Sequence, residues 1–311
     1  DLSEKENEQT IFDTINSAGV RLSSADIVKN ALFQKALELF DTEGEVEELY
    51  QSNWENVFTI DEEAIIFWDT PRATGRLMRD NIEILLHSIS VIKGFFDPDK
   101  HTLSDLSNLY KNYIFNISRS NLKDFISEIA KYATLFREKI LVFNPSTLFT
   151  YQDHYIRLFH ILNICEISTF HPYVLSLFYK YDNDETKLLK ELSKVESLVV
   201  RRMITKSETK SYNKMCKEFI RDNSAIDLKL FEQTDDNIKN GLTSIVNKNA
   251  TLLLFWIELY RRANDRKQSV KELKYNYSLE HLMPQKWEQF WSNVDILDAN
   301  GVYLNQKSSK A

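Results

Sequence analysis

Near the C-terminus, Glu280 and His281 stand side by side in the run Tyr277-Ser278-Leu279-Glu280-His281-Leu282-Met283-Pro284-Gln285. An imidazole titrates near neutral pH, so His281 has the chemistry of a general base. Tyr277, Leu279 and His281 alternate with Ser278, Glu280 and Leu282, which fits a short strand sending Leu279 and His281 to one face. Pro284 lacks an N–H and ends strand pairing just past the histidine. The competing reading of the same residues is a surface or packing histidine that happens to lie beside a glutamate.

A second chemistry is carried by charge. Lys194, Arg201, Arg202, Lys206, Lys210, Lys214, Lys217 and Arg221 crowd one stretch, and Arg261, Arg262, Arg266, Lys267, Lys271 and Lys274 lie just before the Glu-His run. Lys and Arg supply the sequence-independent part of DNA affinity, so Arg201, Arg202, Arg261, Arg262 and Lys267 are candidate phosphate contacts. The alternative is a solvated helix face. With 39 basic against 46 acidic residues the chain carries a net charge of −7, so DNA binding rests on these local clusters and not on overall charge. The two cysteines, Cys165 and Cys216, are far apart and form no CxxC or Cys/His spacing. That excludes a recognisable zinc site and fits a cytoplasmic protein with reduced thiols. No GxxxxGK[ST] or GxGxxG phosphate loop occurs, and no apolar run approaches the roughly 18 residues of a membrane span.

The elements that must position these groups read as helices. At 311 residues the chain can bury a sizeable core, and only 6 Gly and 5 Pro leave few turns for a sandwich or barrel. An apolar stripe of Ile27, Val28, Ala31, Leu32, Leu37 and Phe40 follows a cap at Ser23 or Ser24. Further helices are expected over 43–58, 72–93, 103–117, 122–141, 184–205 and 212–221, with Gly94 closing the helix over 72–93 and turns at Asp97-Pro98-Asp99 and Asn144-Pro145-Ser146. The aromatics between Phe149 and Tyr181 read as helix–helix core. Leu252-Leu253-Leu254-Phe255-Trp256-Ile257 is apolar all round, which predicts a helix in the centre of the bundle. The fold class expected is therefore all-α, a multi-helix array with a small, incomplete ββα-type C-terminal piece, and a boundary in the charged stretch 264–274.

Two separated segments together resemble one family. The first is Ile11-Phe12-Asp13-Thr14-Ile15-Asn16-Ser17-Ala18-Gly19-Val20-Arg21-Leu22 with Ala25-Asp26-Ile27-Val28-Lys29-Asn30, and the second is Tyr277 to Gln285. The pair resembles the signatures of GmrSD-type, modification-dependent restriction proteins, in which a ParB-like nucleotide-binding domain leads through a helical region to a His-Me finger (HNH-like) nuclease. The resemblance implies three parts: 1–40 as the helix–loop–helix end of a ParB-like domain, 41–270 as the helical domain, and 271–311 as a partial nuclease segment. His281 matches the general base that activates water against phosphorus, and Glu280 the acidic neighbour that orients the imidazole or assists a metal. Asn16, Gly19, Asp26, Lys29 and Asn30 match the junction signature.

The same resemblance implies a divalent metal, Mg²⁺ in first place, a nucleotide in the N-terminal domain, and foreign or modified DNA as substrate. A homo-oligomer is a further expected partner arrangement. The Asp-Gly-Gln-Gln-Arg type motif of the ParB-like sheet is absent, and so is the Gly-Asn-Leu segment that follows the Glu-His-x-x-Pro run, for which Asn305 is the nearest substitute as a metal-side residue. The chain opens without Met and is read as a piece of a longer protein that lacks part of both functional ends.

Overall fold

The computed structural model describes residues 23–74, 77–140, 142, 144 and 146–280, with Lys286, Gln289, Leu297, Asn300 and Val302 beyond them; residues 73, 74 and 77 are described as backbone. Asn16, Gly19, His281 and Asn305 lie outside the described residues, as does the expected ββα-type piece.

The described chain is an all-α array. Its helices are α1 (Ser24–Leu39), α2 (Glu43–Tyr50), α3 (Glu62–Asp69), α4 (Asn81–Ile92), α5 (Leu106–Phe115), α6 (Arg119–Lys139), α7 (His154–Ile164), α8 (His171–Lys180), α9 (Glu185–Ile204), α10 (Tyr212–Arg221), α11 (Ala225–Phe231), α12 (Asp235–Leu242) and α13 (Asn247–Asn264). A π-helical segment, Gln51–Thr59, continues α2. Polar side chains start several of them: Ser23, Thr42, Asp61, Ser118, Asp184 and Thr234 each accept a backbone N–H of the first turn. One buried cluster runs from Ala25 in α1 to Leu252 in α13. The aromatics Phe159, Phe170, Tyr173 and Phe178 are in it, as their spacing predicts. Gly94 closes α4 with φ 80°, a left-handed geometry that favours glycine.

Two expectations fail. The helix expected over 72–93 begins only at Asn81; before it, β1 (Pro71–Thr74) and β2 (Leu77–Asp80) pair antiparallel with Arg72 opposite Arg79. Pro71 fixes an extended start, and the Asn81 N–H donates to Thr70 O at 3.2 Å, closing the hairpin against α3. The second failure is α13. Leu252, Phe255 and Leu259 are buried, but Leu254, Ile257 and Tyr260 are more than half exposed. An apolar run gives no face preference, and α13 lies at the edge of the array with one side packed.

The packed side of α13 also meets β3 (Leu148–Phe149) and β4 (Leu273–Lys274), which pair Leu148 with Lys274 and Phe149 with Leu273. Phe149, Phe255, Leu259 and Leu273 form a satellite core there. The stretch just after α13 is thus folded back onto the helical body.

At Gly241 in α12, a Cβ would come within 2.4 Å of Ile204 O at the end of α9. Helix propensity alone favours alanine here by about 1 kcal/mol. The backbone clash outweighs it, and Gly241→Ala is expected to destabilise by roughly 1–3 kcal/mol as an overpacking change. A thermal melt of the variant that matched or exceeded wild type would contradict this packing.

Candidate functional site

Beyond β4 the chain runs from Tyr275 to Glu280 without helix or ladder, so the expected strand through Tyr277 and Leu279 is not formed in these residues. The segment lies along α13 and closes a cleft of about 320 Å³ lined by Thr251, Leu254, Phe255, Glu258, Arg262 and Tyr277 to Glu280. Tyr275 and Tyr277 anchor it, their rings 5.0 and 6.2 Å from that of Phe255. The Glu280 side chain is exposed at the rim. Glu280 is the last residue described before His281.

The charged wall of this cleft is a fixed network. Glu258 accepts from Arg261 at 2.8 and 2.9 Å and from Arg262 at 2.7 Å. These hydrogen bonds hold its carboxyl down at about 2, so it is anionic at neutral pH and a poor base. Arg262 also donates to Val270 O at 3.2 Å, and Lys271 to Asp265 O at 2.6 Å, which bind the 265–271 loop to the end of α13. Arg266 and Lys267 are exposed on that loop.

The other candidates separate into exposed and committed groups. Arg202, expected from sequence to contact phosphate, is 6% exposed; its guanidinium donates to Glu208 O at 2.7 Å and Ser211 Oγ at 2.9 Å. It pins the loop between α9 and α10 and does not form part of a solvated basic face. Arg201 donates to Gln233 O at 3.0 Å and remains partly exposed. Lys194 and Lys217 of the same cluster pair with Asp227 at 3.0 Å and Asp97 at 2.7 Å. In the junction signature, Asp26 closes a capping box: its backbone N–H donates to Ser23 Oγ at 3.1 Å and its carboxylate accepts from Ser23 N at 3.3 Å. Lys29 lies 3.7 Å from Asp26, and Asn30 is half-buried on α1.

Two buried features near this end carry no signal in the sequence. His160 in α7 accepts from Trp256 Nε1 at 3.2 Å and packs edge-on against Tyr275 at 4.6 Å. Burial pushes it down to about 4, so it is neutral at physiological pH. Arg157 in α7 pairs with Glu196 in α9, with Nη2 3.0 Å from Oε2, and also donates to Tyr151 O. Sequence separation hides such a pair, since nothing near residue 157 points to residue 196. Both thiols are free; burial raises Cys165 to about 11 and Cys216 to about 12, which makes both inert.

The described residues do not assemble a divalent-metal site: no group of three or more His, Cys, Asp or Glu side chains converges among them. Among the described residues lining the cleft, the uncommitted carboxylate is Glu280, because Glu258 is held by two arginines. No described helix is long and apolar enough to cross a membrane. No protein-family model, curated protein or solved structure matches the chain.

Proposed function

We propose that this chain belongs to a DNA-cleaving restriction protein, in which the helical array carries the approach to a nuclease centre and His281 is the general base. The supporting observation is the setting of Glu280. It leaves the helical body on a non-helical segment, exposed at the rim of a cleft, and His281 follows it directly in the chain. His281 takes a proton from water, the oxygen attacks phosphorus, the P–O bond to the leaving oxygen breaks, and that oxygen is protonated from solvent. Glu280 orients the imidazole. A divalent cation, Mg²⁺ in first place, belongs to the proposal, with ligands supplied outside the described residues, where Asn305 also lies. The decisive experiment is plasmid nicking by wild type and His281→Ala.

DNA binding would fall to the exposed cations beside the cleft. Arg261, Arg266 and Lys267 sit on the end of α13 and the following loop, whereas Arg202 is buried. Reversing Arg266 and Lys267 to glutamate is expected to weaken retention on duplex DNA. The slope of log K against log salt should flatten by about 0.9 for each phosphate no longer neutralised. An unchanged slope would remove this surface from the DNA interface.

One observation favours a second role, a non-catalytic module that binds a protein partner or another copy of the chain. Along α13, Ile257 and Tyr260 are exposed, with Leu254 beside them at the edge of the cleft.

A further inference from the structure

On a different part of the array, β1, α3, α4, α6, α7 and α8 line a half-open cavity of about 680 Å³. Its walls are apolar at Phe67, Ile84, Phe136 and Ile140, and polar at Arg72, Asn81 and His171. Three buried polar atoms on those residues have no hydrogen-bond partner: Arg72 Nε, Asn81 Oδ1 and His171 Nδ1. Native interiors leave few such atoms, and each one is costly, so three on one cavity wall point to a ligand that completes them.

Each residue is fixed by its other contacts. Asn81, 1% exposed, donates through Nδ2 to Phe67 O at 2.6 Å, which sets its Oδ1 as the free acceptor. Arg72 donates through Nη1 to Ile140 O at 3.3 Å, and its guanidinium lies 5.7 and 5.6 Å from the ring centres of Phe67 and Phe136. Among the described residues no carboxylate pairs with Arg72, and burial lowers it to about 10. His171 is pushed down to about 4 by burial and by the Arg72 charge, so it is a neutral imidazole. At the mouth, Arg137 is engaged by Glu63 at 3.3 Å. Among the described residues, Arg72 is therefore the cavity's cation without a counter-charge, beside two aromatic rings.

We propose that this cavity binds a small organic oxyanion, a carboxylate or phosphate, that pairs with Arg72 and rests its apolar body on Phe67 and Phe136; a hydroxyl or N–H on that body would donate to Asn81 Oδ1. An arginine fork matches either oxyanion in a bidentate fashion. The neutral His171 adds a hydrogen bond without competing charge. The site is independent of the Glu280–His281 segment and stands whether or not the chain cuts DNA.

The test is isothermal titration and thermal shift of the whole chain with phenyl phosphate, benzoate and uncharged phenol. Saturable binding of phenyl phosphate or benzoate, with phenol inactive, is expected, and the stronger of the two identifies the oxyanion. Arg72→Gln should weaken that binding roughly tenfold or more, the worth of a hydrogen bond to a charged group. Arg119→Gln should leave it unchanged, because that guanidinium is taken up by Asp41 and Glu45 at 2.6 and 2.9 Å, outside the cavity. Arg72→Lys, which keeps the charge without the fork, covers the case in which Arg72→Gln fails to fold, and it too should bind more weakly than wild type. The proposal is overturned if neither anion binds saturably, if phenol binds as well as they do, or if the Arg72 variants bind like wild type.

Discussion

Truncating Glu196 to alanine is expected to cost roughly 3–5 kcal/mol of stability, the usual effect of removing one partner of a buried ion pair. Arg157 is 4% exposed, faces the Tyr151 ring at 4.1 Å and directs its guanidinium to Glu196 and Tyr151 O. Without Glu196 it is a buried cation with no counter-charge. The pair links α7 to α9, and α7 in turn supports α13 through His160 and Trp256. The damage should therefore reach the Glu280 segment as well as the core. Chemical unfolding followed by helical circular dichroism measures the effect. Replacing both partners with apolar residues, Arg157→Met with Glu196→Leu, should recover most of the stability, because no stranded charge remains. A single variant within about 1 kcal/mol of wild type, the scale of an exposed pair, would mean that water reaches this site.

The second large effect is on activity. In a chain that carries the whole nuclease centre, His281→Ala is expected to lower Mg²⁺- or Mn²⁺-dependent plasmid nicking by about 10²–10⁴-fold, the worth of a positioned general base. Glu258 is held at about 2 by Arg261 and Arg262, and His160 is sealed in the core. Glu280→Gln should give a smaller reduction than His281→Ala, since it weakens orientation and leaves the base. Nicking that survives His281→Ala would place the base elsewhere. No nicking by wild type would remove the catalytic role from this chain, and DNA retention through Arg266 and Lys267 would then be the remaining test of a DNA function.

The all-α class, most helix spans and the composition of the core are legible in the amino-acid order. These depend on local signals: a cap at Ser23, few glycines and prolines, and apolar residues at helical spacing. Glu280 is marked as part of a chemical pair in the same way, because adjacency needs no folding to be read. Other features exist only once the chain is folded. Arg202 and Arg261 have the same side chain, yet one is buried in a loop-pinning network and the other is exposed, and no spacing rule separates them. The run at Leu252–Ile257 carries no polar face to set its orientation, so packing at the edge of the array selects which residues α13 hides. The hairpin at 71–80 has few residues, and its pairing is stabilised by closure against α3. The Arg157–Glu196 pair and the cavity at Arg72, Asn81 and His171 join residues distant in sequence. The physical reason is common to all of these: local conformational preference is a property of neighbouring residues, whereas burial and charge pairing depend on which distant segment arrives alongside.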